Sequence, residues 1–155
     1  MSTGVFRNAR QAIRAYFLES TAEQIDPTRI AWENNRFDPP DPNPTSSTYS
    51  PYWIRESCQV VSERLAGFDL RELIGRTVFD VMWPINKRTE KAEDLCQLIA
   101  DSFEARSSIT NNSTVVGIDR IVRETPFKWD DAWWMTSIGI YWRTYSVATL
   151  PENKI

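Results

Sequence analysis

Apolar residues recur at two different periods along this chain, and each change of period marks an element. Between residues 3 and 19, Phe6, Ala9, Ile13, Tyr16 and Phe17 return at helical spacing, while Arg7, Arg10, Gln11 and Arg14 occupy other faces. This predicts an amphipathic helix with Ser2 or Thr3 as its cap. A second stripe of Ala92, Leu95, Cys96, Ile99 and Phe103 predicts a helix over Thr89–Arg106. Thr89 suits its N-cap, and Glu90, Glu93 and Asp94 suit the positive end of the helix dipole.

Elsewhere the period is two. Thr28–Glu33 reads as a short strand with Ile30 and Trp32 on one side. Tyr52–Arg64 and Leu70–Trp83 read as the arms of a long hairpin, with Gly67 and Asp69 in the connection. In the second arm Thr77, Phe79, Val81 and Trp83 form a bulky face suited to cover by helices. Arg76 and Asp80 on the other face suggest solvent or a wet interface, and Pro84 stops the strand. Thr114–Arg123 and Trp133–Thr144 predict a second hairpin. There Val116, Ile118 and Val122 alternate with Asp119 and Arg123, and Ile138, Ile140 and Trp142 alternate with Ser137, Gly139 and Tyr141. The expected order is α-β-β-β-α-β-β, in a single domain over residues 1–155 with no internal repeat.

Two segments fit neither period. Phe37–Pro51 holds prolines at 39, 40, 42, 44 and 51. Proline lacks an N–H and fixes φ, so this stretch cannot join a helix or the interior of a sheet. It reads as an extended, semi-rigid arm over 37–52, or as a disordered surface loop. In the arm reading, Phe37, Pro39, Pro40, Pro42, Pro44, Tyr49, Tyr52 and Trp53 are the candidate contacts with a neighbouring subunit. Proline lowers the entropy lost when such an arm docks.

The second segment is the tip of the last hairpin, residues 124–134, where Phe127, Lys128, Trp129, Asp130 and Asp131 are candidates for docking a partner. An exposed aromatic with a charged rim is the anatomy of an interface anchor. Trp129 folding back on its own sheet is the plainer alternative. Adjacent carboxylates such as Asp130 and Asp131 mostly serve as solvated or cap-like turn residues. The tryptophans at 129, 133 and 134 could stack a base or sugar, but their acidic surroundings favour a protein contact or a core position.

Composition narrows the chemistry. The chain has 155 residues, a net charge of −3, no histidine, two cysteines, five glycines and seven tryptophans. Without histidine it lacks the commonest general base and the commonest metal ligand. Cys58 and Cys96 alone cannot make a zinc site, and they are expected to be reduced thiols. No glycine-rich phosphate loop, nucleophile elbow or metal-ligand spacing occurs. The charge argues against a phosphate-gripping nucleic-acid binder. No apolar leader or bilayer-spanning run is present, and the glycosylation sequons at Asn111 and Asn112 are expected to be idle. Glu33 beside Trp32 is a weak candidate for a perturbed acid, lacking a second acid at fixed spacing. No catalytic residue, metal or cofactor is expected, and the excess tryptophan points to work done by surfaces.

An N-terminal helix leads into Ile30-Ala31-Trp32-Glu33-Asn34, then Phe37 and Pro39-Pro40. Extended Tyr52-Trp53-Ile54-Arg55 follows, then Gly75-Arg76-Thr77-Val78-Phe79-Asp80-Val81, the stripe Ala92, Leu95, Ile99, Phe103, and a final hairpin. Over roughly residues 5–147 this layout resembles the tail terminator-like minor tail proteins of long-tailed bacteriophages. The departures are the longer proline segment at 41–51 and the aromatic tip at 124–134. The resemblance implies an α+β fold with two helices packed on a mixed or mostly antiparallel sheet. It implies a structural virion protein, not an enzyme, assembled in the host cytoplasm. Such a protein forms a ring, expected to be a hexamer, at the head-proximal end of the tail tube. The ring ends tube polymerisation and docks the head connector, and DNA passes through its lumen without specific binding. The expected partners are further copies of the chain, the tail tube protein and a head-completion or connector protein, with no membrane. The alternatives are a head–tail stopper or tail-completion protein of the neck, and a small-ligand α+β module with the aromatic cluster lining a pocket.

Overall fold

The two apolar stripes become two helices laid side by side on one face of a sheet. The computed structural model describes residues 4–43, 51–85, 87, 89–104 and 106–147. Helix α1 runs Val5–Ser20 and buries Ala9, Ala12, Ile13 and Phe17. Helix α2 runs Glu90–Glu104 and buries Ala92, Cys96, Ile99, Ala100 and Phe103. Gly4, and not Ser2 or Thr3, sits at the N-cap of α1, where its carbonyl accepts from the Asn8 N–H at 2.8 Å. The Thr89 carbonyl accepts from the Glu93 N–H as α2 begins.

The strands are β1 (Ile30–Ala31), β2 (Trp53–Leu65), β3 (Leu70–Pro84), β4 (Ser108–Asn111), β5 (Thr114–Arg123), β6 (Phe127–Lys128) and β7 (Trp133–Val147). Their spatial order is β1-β2-β3-β7-β5-β4, and β6 pairs with β7. Only β1 runs parallel to its neighbour, with Ile30 opposite Ile54; the other pairs are antiparallel. The fold is therefore α+β with two helices on a mixed sheet, as expected, and carries two extra short strands. Strand β4 joins β5 through Asn112 and Ser113, whose φ values of 48° and 72° suit a two-residue hairpin turn. The first expected strand is shorter than Thr28–Glu33, because Pro27–Arg29 forms a 3-10 turn in which Asp26 accepts from the Thr28 N–H at 2.9 Å.

The helix-facing side of β3 is the bulky side. Phe79 is fully buried between the helices, its ring 4.2 Å from Phe17 of α1 and 6.0 Å from Phe103 of α2. Val81, Ile138, Ile140 and Trp142 complete this core. Trp142 lies flat over Gly75, and its indole N–H donates to Thr77 Oγ1 at 3.1 Å.

Two expectations change. A bulge at Asp119 shifts the phase of β5, since Ile118 faces Trp142 and the next paired residue is Arg120, opposite Tyr141. Beyond it Ile121, and not Val122, packs toward the helices. Asp80 is not open to solvent; it is buried on the helix-free face. One end of that face is also dry, because Ala31, Trp53, Met82, Trp133 and Met135 form a second apolar cluster there.

Candidate functional site

Strand periodicity sorts the polar residues onto the face that the helices leave open. Alternate positions of β3 and β7 place Glu72, Arg76, Asp80, Tyr141, Arg143 and Tyr145 there, with Arg55 and Arg64 from β2 and Asp119, Arg120 and Glu124 from and just after β5. Almost every charge is answered by a neighbour. Asp80 accepts from Arg55 Nε at 2.8 Å and from the Ser137 hydroxyl at 2.5 Å. Arg76 donates to Glu124 at 2.9 Å. Arg143 grips Asp119 with a fork at 2.7 and 2.9 Å. Arg76 and Arg120 both lie over the Tyr141 ring, at 5.7 and 4.2 Å.

Glu72 is the hub of the far end. Its carboxylate accepts from the Tyr145 hydroxyl and Arg64 Nε, each at 2.8 Å, and from Arg143 Nη1 at 3.3 Å. The Tyr145 hydroxyl first, and then Arg64 and Arg143, hold it below the usual carboxylate range. A face of interlocked charges offers a partner hydrogen-bonding edges in fixed positions, and specificity and association rate draw on such patterns more than affinity does. A recess of about 550 Å³ on it is lined by Arg55, Arg76, Asp80, Phe127, Met135 and Ser137, among others.

The hairpin tip borders this recess. Phe127 is 48% and Trp129 42% exposed. Trp129 folds back far enough to stack on Arg55, whose guanidinium carbon lies 4.4 Å from the ring centroid. Asp130 builds the turn by accepting from the Ala132 and Trp133 N–H groups at 2.8 and 2.9 Å. Asp131 pairs with Lys128 at 3.2 Å. The three tryptophans do not form one cluster. Trp133 is buried against Trp53 in the dry end of the helix-free face, Trp134 is half-buried beside Trp83, and Trp129 is exposed over Arg55 at the recess.

The proline segment is rooted at both ends. Phe37 packs on Trp53, their centroids 5.3 Å apart, and Trp53 is itself buried in β2. Tyr52 stacks on Trp83 and lies under Arg29, 4.5 Å from its guanidinium. Pro39 is exposed, and Pro40 and Pro42 are half-buried. Pro44 and Tyr49 lie outside the described residues.

The Trp32-Glu33-Asn34 sequence is a clasp between α1 and the edge of β2. Trp32 lies edge-on to Phe17 and under Arg14. Glu33 accepts from the Cys58 N–H at 3.3 Å, beyond the reach of β1, and pairs with Arg10 at 3.6 Å. Asn34 takes a φ of 63°, a left-handed position that asparagine tolerates. Beneath the clasp Arg14 holds the fully buried Glu56 through two bonds of 2.5 and 2.8 Å.

Cys58 and Cys96 are both free and buried, and burial pushes their thiols up to about 11 and about 12. No group of three or more metal-ligating side chains occurs among the described residues. No helix among them is long and apolar enough to cross a membrane.

One surface was not singled out by its sequence. At the far end of the β2–β3 hairpin, Val60, Val61, Leu65, Phe68 and Leu70 are all exposed, Phe68 at 98%. A register shift between Val60 and Ser62 leaves Val61 without a partner on β3, and both valines are exposed. The adjacent valines were the available signal.

Residues 8–142 match the family of phage tail terminator proteins. The chain belongs to that family. The match takes in most of α1, all of α2, the clasp and the stretches that hold the proline segment and the hairpin tip, and the protein is a phage tail component. No curated protein matches the chain. A solved structure whose name describes no function aligns with 92% of this chain and 98% of its own, at a TM-score of 0.60 and 22% identity. At that identity the likeness speaks for the fold of this tail terminator family member and for nothing more.

Proposed function

We propose that six copies of this protein close into a ring on the head-proximal end of the tail tube. The ring stops tube growth, presents a docking surface to the head connector, and leaves a lumen through which DNA passes without specific binding. The observation that carries this reading is the family match over residues 8–142. The helix-free sheet face supports it, because its interlocked charges can meet a neighbour without leaving buried ions unpaired.

In this reading Phe37, Trp53 and Tyr52 are the roots of the arm, and the prolines at 39, 40, 42 and 44 with Tyr49 lie against the adjacent copy. Deleting residues 41–50 then weakens assembly and leaves the thermal transition nearly unchanged. A deletion that unfolds the domain shows the segment to be cladding for its own sheet.

The tip, with Phe127, Lys128, Trp129, Asp130 and Asp131, is the contact to the tube or connector protein. The experiment is growth of tubes from purified tail tube protein with this protein added. Growth is expected to stop, and bound protein to appear at one tube end. Trp129→Ala should weaken capture at tube ends by about 2 kcal/mol, the cost of losing an interface anchor, with little change in melting. Uninhibited growth contradicts the terminator role. Lost stability with capture retained returns Trp129 to its own fold.

A further inference from the structure

An apolar protrusion and an apolar recess lie at opposite ends of the same hairpin. The protrusion is the turn between β2 and β3, where Phe68 is 98% and Leu65 61% exposed, with Val60, Val61 and Leu70 behind them. Contiguous exposed apolar residues of this kind mark contact surfaces. The recess, of about 400 Å³, lies where the hairpin meets α2 and is lined by Tyr52, Trp83, Leu95 and Leu98. Lys91 and Asp94 are exposed on its border, one charge of each sign.

The thirteen residues of β2 separate the two features by roughly 40 Å at about 3.3 Å per residue. They cannot meet within one molecule. Across a two-fold axis each turn would enter the other copy's recess and close a dimer, whereas repeated head to tail the same contact builds a closed ring, and the ring reading above selects the second. Asp69 follows Phe68 in the turn and can pair with Lys91, on a border that also carries Asp94.

We infer that the β2–β3 turn of one copy, led by Phe68, seats in the recess between Trp83 and α2 of the next copy. This rests on the ring reading above and names the surfaces that close the ring. It also gives Tyr52 an inter-subunit role as a wall of the recess that receives the neighbour's turn.

The test uses full-length variants with one added cysteine each, Asp69→Cys and Lys91→Cys, mixed under assembly conditions with a short bismaleimide. Both positions are exposed, and the native thiols are buried and weakly acidic, so they stay silent. The mixture is expected to give a covalent dimer that neither variant gives alone. A companion variant, Phe68→Asp, should lower assembly at least tenfold and leave melting unchanged. Three results overturn the assignment: cross-linking of Asp69→Cys to itself, no mixed dimer while light scattering shows the assembly formed, or normal self-assembly of Phe68→Asp with lost tube capture. The last outcome makes the turn a site for the tube protein. Failure of every variant and of the wild type to assemble removes the ring reading itself.

Discussion

Arg14→Ala will destabilise the protein by about 3 kcal/mol, near the lower end of the range for breaking a buried pair. Glu56 has no exposed surface, and its carboxylate depends on Arg14 for two charge-assisted hydrogen bonds, with the Glu33 N–H as a weaker third donor at 3.3 Å. Truncation strands that charge between α1 and β2 and also uncovers Trp32. In the intact protein the hydrogen bond to Glu56 favours the charged guanidinium further still. In a domain of this size the loss corresponds to a fall in melting temperature of roughly 10 °C. Replacing both partners, Arg14→Met with Glu56→Met, should recover much of it, because the desolvation penalty disappears with the charges. Chemical denaturation of the single and double variants measures both effects. A single variant within 1 kcal/mol of wild type contradicts this account of the clasp.

Gly75→Ala will be comparably damaging for a steric reason. A Cβ there would lie 2.1 Å from Trp142 Cζ2 and 2.5 Å from Cε2 and Cη2. Trp142 has no exposed surface and is tethered through its indole N–H to Thr77, with Phe6 of α1 tilted against it at 6.2 Å. The ring cannot yield without moving a strand or a helix. Overpacking of this kind costs about 1–3 kcal/mol, and the rigid surroundings place this site at the top of that range or beyond. Gly139→Ala is the matched control. Its Cβ would meet the Arg76 side chain at 3.2 Å, and that side chain can swing aside, so the loss should stay under about 1 kcal/mol. Equal melting temperatures for the two variants would contradict the packing described here.

The long elements were legible because burial on one face imposes a period. Both helical stripes, the β2–β3 hairpin and the alternation of Ile138, Ile140 and Trp142 all follow that rule. Strand β4 escaped because four residues ending in Asn111 carry one buried side chain, Ile109. The bulge at Asp119 escaped because one extra residue reverses every later side chain without altering composition. The fate of Asp80 and Glu72 was illegible for another reason. A carboxylate is buried when arginines from neighbouring strands converge on it, and that depends on register. The arm shows the same limit. Its prolines announce an extended path, but the packing of Phe37 on Trp53 joins residues that only the sheet brings together. The Trp32-Glu33-Asn34 turn stood out in the sequence, and its clasp on β2 accounts for all three residue types.

The central claim is a closed ring of identical copies at a tube end. Its most direct test is the mass of the purified full-length protein by light scattering, taken alone and with tail tubes, and followed by electron microscopy of the tube ends. The account predicts a ring of six copies, either free in solution or formed on the tubes. A protein that stays strictly monomeric under both conditions would contradict it.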